Sequence, residues 1–304
     1  MTNKLPKEKI AELIGLMDVN LIHSLRRDIY IEELDKGERD TIILEIVEKV
    51  FKGSLKGSGE HRHEDWEKGW GENLENLKRS NMLESLRPGY FSENRILRLS
   101  GELYRASHPD VEPALLDLVI VDLLRKFCSS STHVYEFGCG SANNLKSIRK
   151  SLPDVKITGL DWAIASQEII SLLRESGDLG SVDGRSFNFF EPDYSFSLEG
   201  KSAVLTCAAL EQVGDRWQPF VNYLISKKAN YVVHIEPISE LLNEEFLLDN
   251  LSIEYASRRN YLSGYFSGLV ELERAGTIKI LFKRESMLGS KFINGYSVLV
   301  WEVC

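Results

Sequence analysis

Beyond residue 130 the chain alternates short apolar runs with helical stretches, and this alternation limits the fold more than any other feature of its 304 residues. The runs are HVYEFGC (133–139), KITGLDW (156–162), SFNFFE (186–191), SAVLTCAAL (202–210) and NYVVHIEPI (230–238). Strands that alternate with helices pack as a parallel sheet covered on both faces. At the end, TIKILFKRES (277–286) and YSVLVWEVC (296–304) are β-rich, and the residues between them are too few for a helical crossover. They should pair as an antiparallel hairpin closing the edge of an α/β sheet.

The first 130 residues read differently. Ile10, Leu13, Ile14 and Met17, then Ile42, Ile43, Ile46, Val47 and Val50, recur at helical spacing between charged residues. KGSLKGSGEHRHED (52–65) is rich in Gly, Ser and charge, as expected of a surface connection. Residues 66–130 also read as helical, with turn signals at RPGY (87–90) and SHPDVEP (107–113). LLDLVIVDLL (115–124) is too short to span a bilayer and carries Asp117 and Asp122, which predicts a buried helix. No apolar leader precedes a small-residue cleavage site, so the expected location is cytoplasmic, with no membrane partner. Cys128, Cys139, Cys207 and Cys304 are widely spaced and the histidines do not cluster, which predicts neither disulfides nor a metal site. A net charge of -9 argues against a nucleic-acid partner.

The chemistry concentrates in VYEFGCGSANNLKSIRKSL (134–152), where a strand runs through Gly138 and Gly140 into a helix. An α/β sheet opens a crevice for a nucleotide-like ligand at such a turn, and glycines let the backbone approach it. Asp161 ends the next strand about 20 residues on, where a carboxylate can accept hydrogen bonds from both ribose hydroxyls. A dinucleotide fingerprint needs glycine at 143, which is Asn143, so NAD and FAD are disfavoured. Glu136, two positions before the first glycine, would repel a phosphate but suits a cationic ligand or an amino group. That combination favours S-adenosylmethionine.

E-F-G-C-G-S-A followed by Asp161 resembles the first two motifs of class I S-adenosylmethionine-dependent methyltransferases, with Ala142 in place of the usual third glycine. The motifs E-F-G-C-G, G-L-D-W-A, L-E-Q and H-I-E-P-I are similar to those of an uncharacterised bacterial subgroup. The resemblance implies a Rossmann-like, seven-stranded, mostly parallel sheet with an antiparallel C-terminal hairpin, preceded by a helical N-terminal region. It divides the chain into N-terminal helices (1–60), a helical cap (61–130) and a cofactor-binding methyltransferase domain (131–304). It further implies Glu136, Gly138, Cys139 and Gly140 around the methionine part of the cofactor, Asp161 on the ribose and Trp162 beside the adenine. Asp193 matches the position that bonds the adenine amino group; Cys207 and Ala208 line the cofactor, and Glu211 and Gln212 face the methyl group.

If the acceptor is a hydroxyl, a base must remove its proton, and Glu211, His234 and Glu236 stand at strand ends. His234 and Glu236 alternate with apolar neighbours and should share a face. Trp66, Trp70, Tyr90 and Phe91 are candidates for core packing or for a lid that excludes water, with Arg87, Arg95 and Arg98 as charge for an anionic acceptor; Tyr90, Arg95 and Gln212 are the candidate acceptor contacts. Arg26-Arg27 and Arg258-Arg259 read as solvated charges. The resulting expectation is an enzyme that methylates a hydroxyl or amine of a polar small-molecule or glycan-type acceptor, with pairing of two copies through the N-terminal helices left open. The alternatives are a protein or nucleic-acid methyltransferase, against which the missing N-P-P-Y signature and the acidic charge speak, and a cofactor-binding scaffold without turnover.

Overall fold

A computed structural model describes residues 4–26, 28–91 and 95–304; Arg27 of the first basic pair lies outside the described residues. The N-terminal part contains helices α1 (Lys7–Leu13), α2 (Lys36–Phe51) and α3 (His63–Ser80), but it is not purely helical. Strands β1 (Ile31–Glu33), β2 (Ile96–Leu99) and β3 (Glu102–Ala106) interrupt it and pair antiparallel. The correction has a local cause. RILRLSGELYRA carries a two-residue hairpin turn at Ser100-Gly101, both with positive φ (47° and 83°), as a hairpin twist requires. Arg98 looks out of place in a strand, yet it is fully buried. Its guanidinium donates to Leu248 O, Ser252 Oγ and Lys291 O, which satisfies most of a group that would otherwise be costly to bury.

Helix α4 (Val111–Phe127) is buried along most of its length, as its composition predicts, and Asp122 accepts from the Met17 and Asp18 N–H groups. Next come β4 (His133–Phe137), α5 (Leu145–Ser151), β5 (Lys156–Asp161), α6 (Ile164–Ser176), β6 (Val182–Ser186) and β7 (Ser202–Cys207). Helix α7 (Gln218–Ser226), β8 (Tyr231–Glu236), α8 (Leu247–Arg258), α9 (Tyr265–Arg274), β9 (Ile278–Arg284), β10 (Leu288–Ser290) and β11 (Ser297–Val303) complete the chain. The large sheet has the order β6-β5-β4-β7-β8-β11-β9; its first five strands are parallel, and β11 is antiparallel to both neighbours. The third strand ends before the run expected for it: Phe187 to Phe190 leave the ladder and curl over the strand ends, with Phe187 and Phe190 buried.

Two features of the topology place the site. The chain walks from β4 outward to β6 and then returns to the other side of β4 as β7, so the strand order reverses between β4 and β7. A crevice opens at the carboxyl ends of the strands at such a reversal. The β9–β11 link also does more than turn: β10 pairs with β2 and completes a second sheet, order β1-β3-β2-β10. The link carries Phe292 and Tyr296 with it to the crevice.

Candidate functional site

The β4–α5 loop takes its shape from three successive left-handed positions, Gly138, Gly140 and Ala142, with φ of 73°, 52° and 62°. Glycine is needed at the first two for space as well. A Cβ on Gly138 would overlap Ala209 Cβ, and one on Gly140 would stand 2.6 Å from the Trp70 indole. Asp161 ties the loop to β5, with Oδ2 accepting from the Gly140 N–H and Oδ1 from the Ala163 N–H, both at 2.9 Å. Burial pushes its carboxyl up to about 6, although these hydrogen bonds oppose the shift. Behind the loop, Glu136 is fully buried; Oε1 accepts from Asn144 Nδ2 at 2.8 Å, and Oε2 has no hydrogen-bond partner. Burial, with a smaller contribution from the Asp161 charge, pushes Glu136 up to about 8.

The loop floors a cavity of about 430 Å³. Cys139, Asn144, Asp161 and Trp162 line it on one side, together with Cys207 and Ala208 at the end of β7 and Asp117 from α4. Trp66 and Trp70 of α3 form a roof, stacked at 5.5 Å between ring centroids. The helix is fastened there: Glu67 accepts from the Ile164 and Ala165 N–H groups at the start of α6, and His63 packs edge-on against Trp162. Asn73 of α3 donates to Ser85 O and Arg87 O, which holds the segment bearing Tyr90 and Phe91 beneath it.

The other side of the cavity is built around Glu211 and Gln212. The Glu236 carboxylate accepts from the N–H groups of Ala209, Leu210 and Glu211, folding the turn after β7 so that Glu211 and Gln212 line the cavity. Burial, and then the Glu236 charge, push Glu211 up to about 8, while the Gln212 amide, the Arg259 guanidinium and the Tyr261 hydroxyl pull it down. Glu112 lines this side too and accepts from the Tyr296 hydroxyl at 3.1 Å.

Several sequence candidates stand elsewhere. His234 and Glu236 do share a face, but it is covered: neither lines the cavity, and both are fully buried. His234 Nδ1 lies 2.8 Å from Thr206 Oγ1, its ring packs on Tyr265 and Trp301, and burial lowers it to about 3. Asp193 turns away to Ser195 and Arg185; Asn188 lines the cavity in that region instead. Arg95 donates to Ala106 O and Ser107 O, and Arg87 pairs with Asp110, so neither they nor Arg98 supply charge to the cavity wall. The reading of Arg258-Arg259 divides: Arg258 pairs with Glu254 at the surface, whereas Arg259 turns inward and lines the cavity with Tyr255 and Tyr261. The break in helical pattern at RRNYLSG was the available signal for that turn. Asn188, Arg259, Tyr261, Glu112 and Asp117 are among the lining polar residues that the motifs did not indicate.

No protein family model matches the chain, and no curated protein matches it. Among solved structures it is similar to the O-methyltransferase NcsB1 from neocarzinostatin biosynthesis, crystallised with S-adenosylmethionine and 2-hydroxy-5-methyl naphthoic acid. The identity is 15% and the TM-score 0.43, over 65% of this chain and 59% of that one. The chain thus spans about three fifths of NcsB1's length. It is also similar to the Podospora anserina methyltransferase PaMTH1 bound to SAH, at 11% identity and TM-score 0.44 over 90% of this chain and 97% of the other. The mitomycin 7-O-methyltransferase MmcR matches at 12% identity and TM-score 0.43, over 79% and 68% of the two chains.

Proposed function

We propose that the chain transfers a methyl group from S-adenosylmethionine to a hydroxyl or amine of a polar small-molecule or glycan-type acceptor. The observation that carries this reading is the sign of the charge around a bare-backbone loop. Asp117 and Asp161 line the cavity beside Gly138 and Gly140, Glu136 stands behind them, and among the described residues Arg259 is the one Lys or Arg on the wall. Such a donor set suits a ligand with sulfonium and ammonium charge and opposes a diphosphate.

In this reading Glu136, through Asn144, and the backbone at Gly138, Cys139 and Gly140 hold the amino-acid part of the ligand. Asp161 serves the ribose, with Trp162 and Asn188 beside the adenine, and Cys207 and Ala208 close the floor. Bound S-adenosylmethionine supplies an electrophilic methyl carbon on a sulfonium centre. The roof of Trp66 and Trp70 excludes water, and Glu211 and Gln212 orient the acceptor, so that positioning can account for much of the acceleration. Tyr90, 61% exposed at the cavity mouth, meets the acceptor as it enters. Polar groups at Glu211 and Gln212 favour turnover over a silent scaffold. Calorimetric titration should give saturable binding of S-adenosylmethionine and S-adenosylhomocysteine; binding of NAD with no heat from either would overturn the reading.

A further inference from the structure

The side of the cavity opposite the glycine loop holds both signs of charge. Glu112 and Glu211 line it together with Arg259. Arg259 places Nε and Nη2 at 3.3 and 3.2 Å from the Tyr261 hydroxyl oxygen. With two donors on its oxygen, that hydroxyl keeps its own hydrogen for an acceptor, and the Glu211 carboxyl is the group it bears on. Gln212 Nε2 donates to Glu211 Oε1 at 2.9 Å, and the Glu211 N–H is anchored on Glu236 at 3.2 Å. Arg259 is itself held from outside, since the Ser58 N–H donates to its carbonyl at 2.7 Å. The carboxyl is therefore fixed from several directions; Gln212, Arg259 and Tyr261 favour its charged form, but burial and Glu236 outweigh them, so the carboxylate is the form that grows as pH rises toward about 8.

This arrangement selects among acceptors by charge. Arg259 is committed to Tyr261, Glu112 accepts from Tyr296 and Glu211 from Gln212, so a charged acceptor would meet a like charge while having to displace an existing partner to reach the opposite one, which disfavours both ammonium and carboxylate. A neutral hydroxyl meets neither penalty, and it is also the acceptor that needs a base during transfer. We propose that the methylated group is a neutral hydroxyl, that Glu211 accepts its proton, and that Arg259, acting through Tyr261, positions Glu211 for that role. The inference rests on the methyltransferase reading above. As the acceptor oxygen forms its bond to the methyl carbon, the sulfur–carbon bond breaks and its electron pair stays on sulfur, leaving a neutral thioether. The O–H pair stays on oxygen, and the proton passes to the Glu211 carboxylate, which later returns it to solvent. The product is an ether.

The groups facing Glu211 set the pH range over which it works. Burial raises it most and Glu236 of β8 raises it further, whereas Gln212 and then Arg259 and Tyr261, in the turn after α8, lower it, leaving it at about 8, so the rate should climb with pH up to that value. Tyr255 of α8, Tyr90 of the segment under the roof and Cys207 at the end of β7 are close enough to feel its charge.

The test uses the full chain, labelled S-adenosylmethionine and a low-molecular-weight metabolite extract as acceptor source, with S-adenosylhomocysteine calorimetry on every variant. An alkali-stable O-methyl ether is expected. Glu211→Gln should lower the rate about a hundredfold or more, and Tyr261→Phe about tenfold, with S-adenosylhomocysteine affinity unchanged in both. A carbon-13 carboxyl signal from Glu211 should titrate at higher pH in Tyr261→Phe, because a donor to the charged form is gone. Arg259→Lys keeps the charge but not the fork, and serves as the second positioning variant if Tyr261→Phe melts early. An alkali-labile ester, an N-methyl product, full activity in Glu211→Gln, an unmoved Glu211 titration, or no labelled product from a chain that binds S-adenosylhomocysteine would each overturn the inference. Failure of the wild type to bind S-adenosylhomocysteine would overturn the methyltransferase reading itself.

Discussion

Binding of a cationic nucleoside should expel a proton from Glu136, and the amount follows from its burial. With its carboxyl pushed up to about 8, Glu136 is about 0.9 protonated at pH 7 in the free protein. A positive charge bound over the loop favours the carboxylate and returns its pKa toward the ordinary range. At pH 7 about 0.9 proton should therefore leave per ligand bound at this residue, and affinity should rise about ninefold between pH 6 and pH 7. The sign is fixed: a group that is protonated when free and ionised when bound makes binding stronger as pH rises, until the ligand's own amino group begins to lose its charge near pH 8. Titration calorimetry in buffers of different ionisation enthalpy reads the proton count directly. Glu136→Gln should abolish this release while keeping an acceptor for Asn144. S-adenosylhomocysteine, which lacks the sulfonium charge, should still release the proton if the ammonium is its cause. Unchanged proton release in Glu136→Gln, or none in the wild type, would refute the electrostatic argument for the cofactor.

Further outcomes follow from other parts of the site. Glu136, Glu211 and Glu236 are raised from 4.5 to about 8, 8 and 7, so the folded chain binds more protons than the unfolded one, and stability should fall as pH rises from about 4.5 to 8. His234, lowered to about 3, acts in the opposite sense and removes stability as pH falls below about 6.5. One histidine does not offset three carboxyls, so melting temperatures measured across pH 5 to 9 should fall as pH rises to about 8, and a curve rising steadily to pH 8 would contradict the burial of these carboxyls. Gly140→Ala should cost roughly 1–3 kcal/mol in denaturant unfolding and weaken S-adenosylhomocysteine binding, because its Cβ meets the Trp70 indole at 2.6 Å on a left-handed backbone; wild-type affinity would disprove the close contact. Thr206→Val removes the hydroxyl that partners both His234 Nδ1 and the Glu236 carboxyl and should cost about 1–3 kcal/mol in denaturant unfolding, whereas wild-type stability would show that these buried groups do not depend on it.

The two halves of the cavity were unequally legible because they are encoded at different ranges. The glycine loop and Asp161 lie within one strand-turn-helix-strand unit. Local rules about positive φ and strand ends suffice there, and Gly140 and Asp161 do meet through a 2.9 Å hydrogen bond. His234 and Glu236 illustrate the limit of the same rules. Period-two alternation correctly puts them on one face, but which layer covers that face is decided by Thr206, Tyr265, Trp301 and the turn at 209–211, all distant in sequence. Arg98 and the β2–β3 hairpin were obscured by a charge in a strand, which only the carbonyls of Leu248 and Lys291 and the Ser252 hydroxyl make tolerable.

The half around Glu211 is assembled from five separate stretches: α4 with Glu112, the segment of Tyr90 and Phe91, the turn after β7, the turn after α8, and the β9–β11 link. Apart from the L-E-Q run that pointed to Glu211 and Gln212, none of them carries a spacing that announces chemistry, and Arg259 looks like any surface arginine until Tyr261 and Ser58 fix it. The difference has a functional consequence. A loop written in contiguous sequence keeps its ligand contacts when the surrounding segments change, whereas a wall drawn from five segments can be rebuilt one side chain at a time without disturbing the sheet. Substitutions at Arg259, Tyr261 or Phe292 should accordingly alter which acceptors are taken while leaving nucleoside affinity intact, and substitutions at Gly140 or Asp161 should do the reverse. Parallel calorimetry and product profiling on the two sets of variants would show the split, and loss of nucleoside binding from the acceptor-side set would show that the two halves are coupled.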